Sequence, residues 1–232
     1  MQKDLENILK KIEQYNPISI FLYGSRARTD ATEGSDYELG VLFKESEYIK
    51  RSVLNEGISE TISIYPFKLE EVTRGSIDTP FNKNIYLHEL KKTGETLFGE
   101  DVIKTIEPPA ITTLDVLADT QFNLGRALSA VITHRDGSIK TAEELFSKSC
   151  LFAVRAFIIY RTRKLCSTYD EVVSSAKNLD LGEFSDLPQK ALEVRKNALY
   201  DPNDLFRNIS LLNQICIPQI REGLEVGEEL IK

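Results

Sequence analysis

Ten residues separate Ser25 from Asp36, and around them the chain runs from a Gly24-Ser25 pair to Ser35-Asp36-Tyr37-Glu38. From Asp36 to Phe43 the residues alternate, with Tyr37, Leu39, Val41 and Phe43 in one phase and Asp36, Glu38 and Gly40 in the other. Alternation of that period predicts a strand, and residues two apart on a strand share a face, so the two acids point the same way. Two carboxylates held that close repel each other unless a cation lies between them. A hard, oxygen-seeking ion such as Mg²⁺ meets that need and can bridge to phosphate oxygens. The chemistry predicted is that of a nucleotide.

The neighbouring elements fit the same purpose. Ile18 to Tyr23 is a short, mostly apolar run rich in β-formers and predicts a buried strand that ends directly on Gly24. Glycine lets backbone approach a bound group closely, and Ser25 is suited to cap a short helix over Arg26 to Asp30, whose first N–H groups and dipole favour phosphate oxygens. Arg28, one turn beyond Ser25, is placed to add a charge-assisted contact; Arg26, next to the turn, is the weaker candidate for one and as apt to face solvent. A lone Gly-Ser turn or a lone Asp-x-Glu is commonplace on solvated strand edges. The signal lies in their conjunction, strand, turn, spacer and paired acids entering an apolar strand.

Tyr23-Gly24-Ser25, Arg28 and Ser35-Asp36-Tyr37-Glu38 resemble the signature of the nucleotidyltransferase superfamily that includes DNA polymerase β. The Asp-x-Glu form and the helical region that follows are similar to kanamycin nucleotidyltransferase and the minimal nucleotidyltransferases. The resemblance is specific over residues 18–43, looser to about residue 103, and one of layout beyond. It implies an α+β nucleotidyltransferase fold, a mixed sheet with flanking helices, followed by an all-α helical bundle. It also implies two Mg²⁺ ions on the carboxylates and transfer of a nucleoside monophosphate, AMP from ATP or the equivalent from another nucleoside triphosphate, to an acceptor hydroxyl. Kanamycin nucleotidyltransferase builds its site across a dimer, so a homodimer is among the arrangements the resemblance implies. In one respect the chain departs from the pattern. The strand expected to carry a third carboxylate is Thr61 to Tyr65, where Ile62 and Ile64 take the core phase and the site phase falls on Ser63. A neutral Ser63 weakens a second metal position and removes a natural general base; Glu60 is in phase with the isoleucines.

Composition narrows the class further. With 232 residues, 41% hydrophobic and 28% charged, the chain has the make-up of an ordinary soluble globular protein. No apolar run approaches the ~20 residues of a membrane span. The amphipathic start, with Leu5, Ile8, Leu9 and Ile12 on one face, lacks signal-peptide features, so the expected location is the cytoplasm. Cys150, Cys166 and Cys216 are far apart among apolar residues and are expected to be reduced core thiols. A formal charge of −7 argues against long nucleic acid as the acceptor and favours a small, cationic one, of which an aminoglycoside-like antibiotic is an example.

The chain is expected to divide into a nucleotidyltransferase domain over 1–105 and a helical bundle for substrate binding or interaction over 110–232, joined at Glu107-Pro108-Pro109. In the first part a helix is predicted over Ser46 to Leu54. In the second, Leu114, Leu117, Gln121, Leu124, Leu128 and Val131 recur at three- and four-residue steps and predict one helix, stopped at Arg135-Asp136-Gly137. The segment Thr141 to Lys164 is apolar on nearly all sides and is expected to be central. A last helix starting near Asp201 is expected to kink at Pro218, completing an up-and-down bundle of four or five helices.

Within the bundle, Arg155 must find a carboxylate, a phosphate or a groove, with a structural ion pair as its plain role; Arg126 and Lys148 are weaker phosphate candidates. Asp119, Glu143 and Glu144 are candidate general bases whose plain reading is that of solvated helix-face acids. His88 and His134 have no partner at metal-ligand spacing and are expected to be exposed. Two functions follow from different classes: a metal-dependent nucleotidyltransferase, and a catalytically weak nucleotide-binding regulatory or antitoxin-like protein that Ser63 would favour.

Overall fold

The computed structural model describes residues 2–79, 81–197, 199–224 and 228–232. The chain forms two compact units, Met1–Pro109 and Ala110–Lys232.

The first unit opens with α1 (Gln2–Glu13), whose Leu5, Ile8, Leu9 and Ile12 form the apolar face read from the sequence. β1 (Ser19–Tyr23) follows and is buried throughout; a one-turn helix, α2 (Gly24–Ala27), then leads by a loop into β2 (Tyr37–Phe43). The connection to the next strand carries a single 3₁₀ turn over Glu45–Glu47 and the short α3 (Arg51–Leu54). The continuous helix expected over Ser46 to Leu54 is therefore absent. Tyr48 and Lys50 are extended, and Ile49 between them packs on the sheet, a tertiary contact that outweighs helix propensity. β3 (Ile62–Lys68), α4 (Leu69–Thr73), α5 (Lys83–Thr93), β4 (Glu95–Gly99) and α6 (Val102–Thr105) complete the unit.

The strands lie in the order β3-β2-β1-β4, with β2 parallel to β3 and β1 antiparallel to both β2 and β4. Both faces are covered. On one, Ile20, Leu22, Leu39, Val41, Phe43, Ile62 and Ile64 pack with Ile12 and Leu54; on the other, Phe21, Tyr23, Leu42 and Phe67 pack with Val72, Leu87, Leu90 and Ile103. Gly40 makes the second face possible: a Cβ there would lie 2.0 Å from the Phe21 ring, which crosses β2 at that residue.

The second unit is helical, with one small addition. β5 (Ile111–Thr112) pairs with the chain's last strand, which the sequence reading did not anticipate. α7 (Thr113–Arg135) starts at a capping box, Thr112 with Asp115, and α8 (Ile139–Thr162) is buried along most of its length, as its composition predicts. α9 (Tyr169–Ala176), α10 (Leu187–Arg195) and α11 (Pro202–Leu211) follow, the last capped by Asp201. Ahead of α12 (Ile217–Glu222) the chain widens into a π turn over Leu212–Cys216. That turn absorbs Pro218, whose ring has no N–H to give and would crowd the carbonyl four residues back in a regular helix. β6 (Glu229–Ile231) closes the unit against β5.

The helix expected from these steps forms and ends at Arg135, but of the six periodic residues only Val131 is buried. Leu114 and Leu128 are 49% and 48% exposed, and the inner face is Thr113, Val116, Asp119, Thr120, Asn123, Ala127, Ala130 and Val131. Small and self-satisfied residues let α7 lie close along the bulky α8. Thr120 donates to the Val116 carbonyl at 2.8 Å and Asn123 to the Asp119 carbonyl at 2.9 Å, so these polar groups enter the interior already bonded. The three cysteines are free and buried, and burial raises the Cys216 thiol to about 12, which keeps it protonated.

Candidate active site

β1 delivers the chain to Gly24 at φ +73°, a left-handed backbone that glycine adopts without steric cost. A Cβ at that position would sit 1.8 Å from Glu38 Oε2. The missing side chain therefore has a specific occupant: the Glu38 carboxylate lies against the Gly24 turn. The ladder explains why, since Tyr23 is directly opposite Glu38 across β1 and β2. The Gly24 carbonyl accepts from the Arg28 N–H at 3.1 Å and the Ser25 carbonyl from the Asp30 N–H at 2.8 Å, so the turn closes tightly. Its cap is Tyr23 and not Ser25, and no side chain bonds there. The reversal at Gly24 starts the helix two residues earlier than expected and draws Ser25 inside, where it is buried.

Asp36 immediately precedes β2, and the Tyr37 N–H beyond it is already paired, donating to the Thr61 carbonyl at 2.8 Å. Carrying the alternation back from Glu38 puts Asp36 on the face of the Gly24 turn. Ser63 is paired with Glu38 across the parallel β2–β3 ladder, which makes it the residue beside the carboxylates on that strand. Glu60 sits on the exposed turn before β3.

Behind Glu38 the same face is aromatic. The Tyr23 ring lies 6.0 Å from Tyr65 and 6.2 Å from Tyr86, each edge-on. Burial first, then the neighbouring Tyr86 and the charge of Glu38, push the Tyr23 hydroxyl well above its usual range. Burial likewise raises Tyr86, with Glu38 and Glu89 adding to the shift. Both phenols stay protonated at neutral pH, hydrogen-bonded to each other beside a carboxylate.

Both arginines of this segment are held by groups of the protein. Arg28 is 9% exposed, with its Nε 3.2 Å from Asp30 Oδ2 and its Nη1 bonded to Glu89 of α5. A guanidinium so held fastens the loop to the domain. Arg26 is partly buried: its Nη2 donates to the Ser35 carbonyl at 2.5 Å, and its guanidinium carbon lies 4.0 Å from the Tyr37 ring centroid. Sequence reasoning missed this residue because its partner is a backbone carbonyl nine positions away, which no side-chain pattern announces.

The bundle candidates are distributed along its helices. Asp119 is 6% exposed and accepts from Asn123, which corrects its reading as a solvated acid. Arg126 donates to Asn123 Oδ1 at 3.1 Å and lies over Phe122 and Phe152; burial lowers its pKa. Arg155 is 7% exposed with its guanidinium 4.7 Å from the Phe152 centroid. Lys148 pairs with Glu144 one helical turn away, and Glu143 is half-buried. Neither histidine is exposed as expected: His88 Nε2 donates to the Pro109 carbonyl at 2.9 Å, and His134 bonds the Tyr200 hydroxyl.

Chemically, the turn and the two acids offer hard oxygen donors beside free backbone at a glycine. That donor set fits Mg²⁺, an ion that keeps water and phosphate oxygens in its shell and needs few protein ligands. Among the described residues no cluster of three or more His, Cys, Asp or Glu forms, consistent with Ser63 in the neighbouring position. Also among them, no helix is long and apolar enough to cross a membrane.

A mixed sheet that presents a glycine-serine turn to paired acids is the arrangement of a nucleotidyl-transfer fold. Residues 4–102 match the family described as Polymerase beta, Nucleotidyltransferase. Two proteins of Methanocaldococcus jannaschii named "Putative protein adenylyltransferase" are similar: MJ0128 is 37% identical over 84 residues, 35% of this chain and 83% of that protein. MJ1379 is 37% identical over 78 residues, 34% of this chain and 76% of that protein. A crystal structure of spectinomycin adenyltransferase AAD(9) from Enterococcus faecialis, with ATP and spectinomycin, shares the fold with a TM-score of 0.60 at 15% identity, over 91% of this chain and 96% of that one. The chain belongs to the polymerase β-type nucleotidyltransferase family, a family of enzymes.

Proposed function

We propose that this enzyme uses Mg²⁺ to transfer AMP from ATP to a hydroxyl group of a small-molecule acceptor, with residues 1–105 as the catalytic domain and 110–232 selecting the acceptor. The observation that carries the reading is the Glu38 carboxylate lodged where a Gly24 side chain would be, in register with Tyr23 at the end of β1. In the reaction the acceptor oxygen bonds to the α-phosphorus while the bond to the pyrophosphate oxygen breaks, and the hydroxyl proton passes to solvent. Gly24 and Ser25 receive the triphosphate on backbone N–H groups, and Asp36 and Glu38 hold the cation. The ion, when bound, neutralises charge on the phosphates; the protein's part is to orient and to exclude water. The likeness of layout to an adenyltransferase that binds spectinomycin, together with the net charge of −7, supports a cationic, aminoglycoside-like acceptor.

Calorimetric titration with ATP and Mg²⁺, followed by pyrophosphate release against aminoglycosides, aminocyclitols and a tyrosine-bearing protein, tests this. Release with one of the small acceptors and none after Asp36→Ala is the expected result. A second reading, a nucleotide-binding regulator with little turnover, is favoured by Ser63 beside Glu38. Tight binding without release under every acceptor supports that reading and removes the first; gain of release in Ser63→Asp would trace the deficit to this one residue.

A further inference from the structure

We propose that Arg26 is a positioning residue, a latch that fixes the backbone on both sides of Asp36 and so sets where its carboxylate meets a cation. The inference rests on the reading of Asp36 and Glu38 as cation ligands. Asp36 lies between the two residues that Arg26 holds. On one side the Arg26 Nη2 donates to the Ser35 carbonyl at 2.5 Å; on the other its guanidinium carbon stacks 4.0 Å from the Tyr37 ring centroid.

The rest of the loop is tied by bonds that leave the Asp36 side chain out. The Ser35 N–H donates to the Thr32 carbonyl at 3.0 Å, the Thr32 N–H donates to Ser35 Oγ at 2.9 Å, and the Tyr37 N–H donates to Thr61 at 2.8 Å. Farther back, Arg28 with Asp30 and Glu89 anchors the loop's start to α5. Arg26 is thus the tie between the Gly24 turn, in which it lies, and the residues flanking Asp36. A planar fork can hydrogen-bond a carbonyl and stack on a ring at once, which an ammonium does less well. The arrangement also carries a cost, since the Arg26 Nε is buried with no hydrogen-bond partner. A surface arginine would shed that cost by turning outward.

The test uses the full chain as wild type, Arg26→Gln and Arg26→Lys. Hydrogen exchange is followed over residues 31–37 without metal or nucleotide, and ATP binding is titrated against Mg²⁺. Arg26→Gln is expected to speed exchange in that loop while β1, β4 and the thermal midpoint stay as they were. It should also raise the Mg²⁺ concentration for half-maximal ATP binding by about tenfold, the usual cost of losing a residue that orients a metal ligand. ATP affinity at saturating Mg²⁺ should be unchanged, and Arg26→Lys should recover part of the loss. Unchanged exchange and unchanged Mg²⁺ dependence overturn the latch. So does weaker ATP binding at saturating Mg²⁺ with normal loop exchange, which would make Arg26 a phosphate ligand. If wild type binds no nucleotide with Mg²⁺, the proposed function fails, while the exchange measurement still decides whether Arg26 holds the loop.

Discussion

β2 in the first unit buries apolar side chains on both faces and places its one acid, Glu38, at the end where β1 turns away. α7 in the second unit does the reverse. It buries Thr113, Asp119, Thr120 and Asn123 against the bundle and leaves Leu114, Leu128 and Ile132 in solvent. The difference shows two ways of placing polar groups. In the sheet the backbone ladder consumes the main-chain donors, and Glu38 stands at the end of β2 that meets the Gly24 turn. In the helix Thr120 and Asn123 donate to carbonyls of their own preceding turn, Asp119 accepts from Asn123 and Thr113 donates to Glu228, so their polarity is met within the unit. Polar residues in the sheet unit therefore point to chemistry, and those on α7 point to close packing.

This contrast can be broken at several points. The largest effect is expected from Glu38→Ala, which should lower nucleotidyl transfer on the order of 10²–10³-fold or more with the thermal midpoint close to wild type, because the residue serves the ligand and not the core. Turnover near wild type in a steady-state assay would put Glu38 outside the reaction. Gly24→Ala belongs with it, since its Cβ would lie 1.8 Å from Glu38 Oε2 on a left-handed backbone, and the loss of nucleotide affinity should exceed the loss of stability.

In the bundle the order of effects reverses. Phe157→Ala, deep in α8, should cost about 3–5 kcal/mol in urea denaturation of the second unit and leave ATP binding by the first intact. Weakened ATP binding in the folded variant would show that the bundle shapes the nucleotide site. On α7, Leu128→Gln should change stability by less than about 0.5 kcal/mol, whereas Ala127→Leu, one residue away on the inner face, should cost about 1–3 kcal/mol by overpacking against the bundle. Equal effects would mean that the helix face is misassigned.

The smallest effect concerns charge. Asp186 is lowered to about 2 by its bond from Arg207, helped by Lys190. A carboxyl depressed on folding contributes stability above its ordinary value of 3.8 and loses it as pH falls toward 2, so acid unfolding should steepen across that window. Asp186 is largely exposed, and Asp186→Asn should cost no more than about 1 kcal/mol at pH 7 while flattening the profile between pH 4 and 2. A denaturation series in that range, unchanged by the substitution, would remove the pair from the stability of the fold.

Much of the site was legible because its physics is local. Gly24 follows a strand directly, Glu38 lies against its turn, and Ser63 is paired with Glu38, so short-range rules suffice for these. Arg26 was not legible, because its value comes from a carbonyl and a ring brought close by the folding back of the loop. Arg28 was placed on the right loop and given a ligand to hold, where the structure gives it Asp30 and Glu89, the latter 61 residues away. On α7 the periodicity indicated an amphipathic helix and could not say which side was covered, since Asp119 and Asn123 hide their polarity only once the helix exists.

What the chain's own order of residues determined is the chemistry: a strand ending on glycine and serine, two acids in one phase, a serine in the third place, and a helix too apolar to lie anywhere but inside. What only folding decided is which partners meet across distance. Arg26 stands over Tyr37, Glu89 reaches Arg28, and α7 turns Leu114 and Leu128 outward, because each depends on surfaces that come together after the local elements have formed. Backbone geometry and side-chain period act over a few residues, whereas burial is a property of the assembled whole.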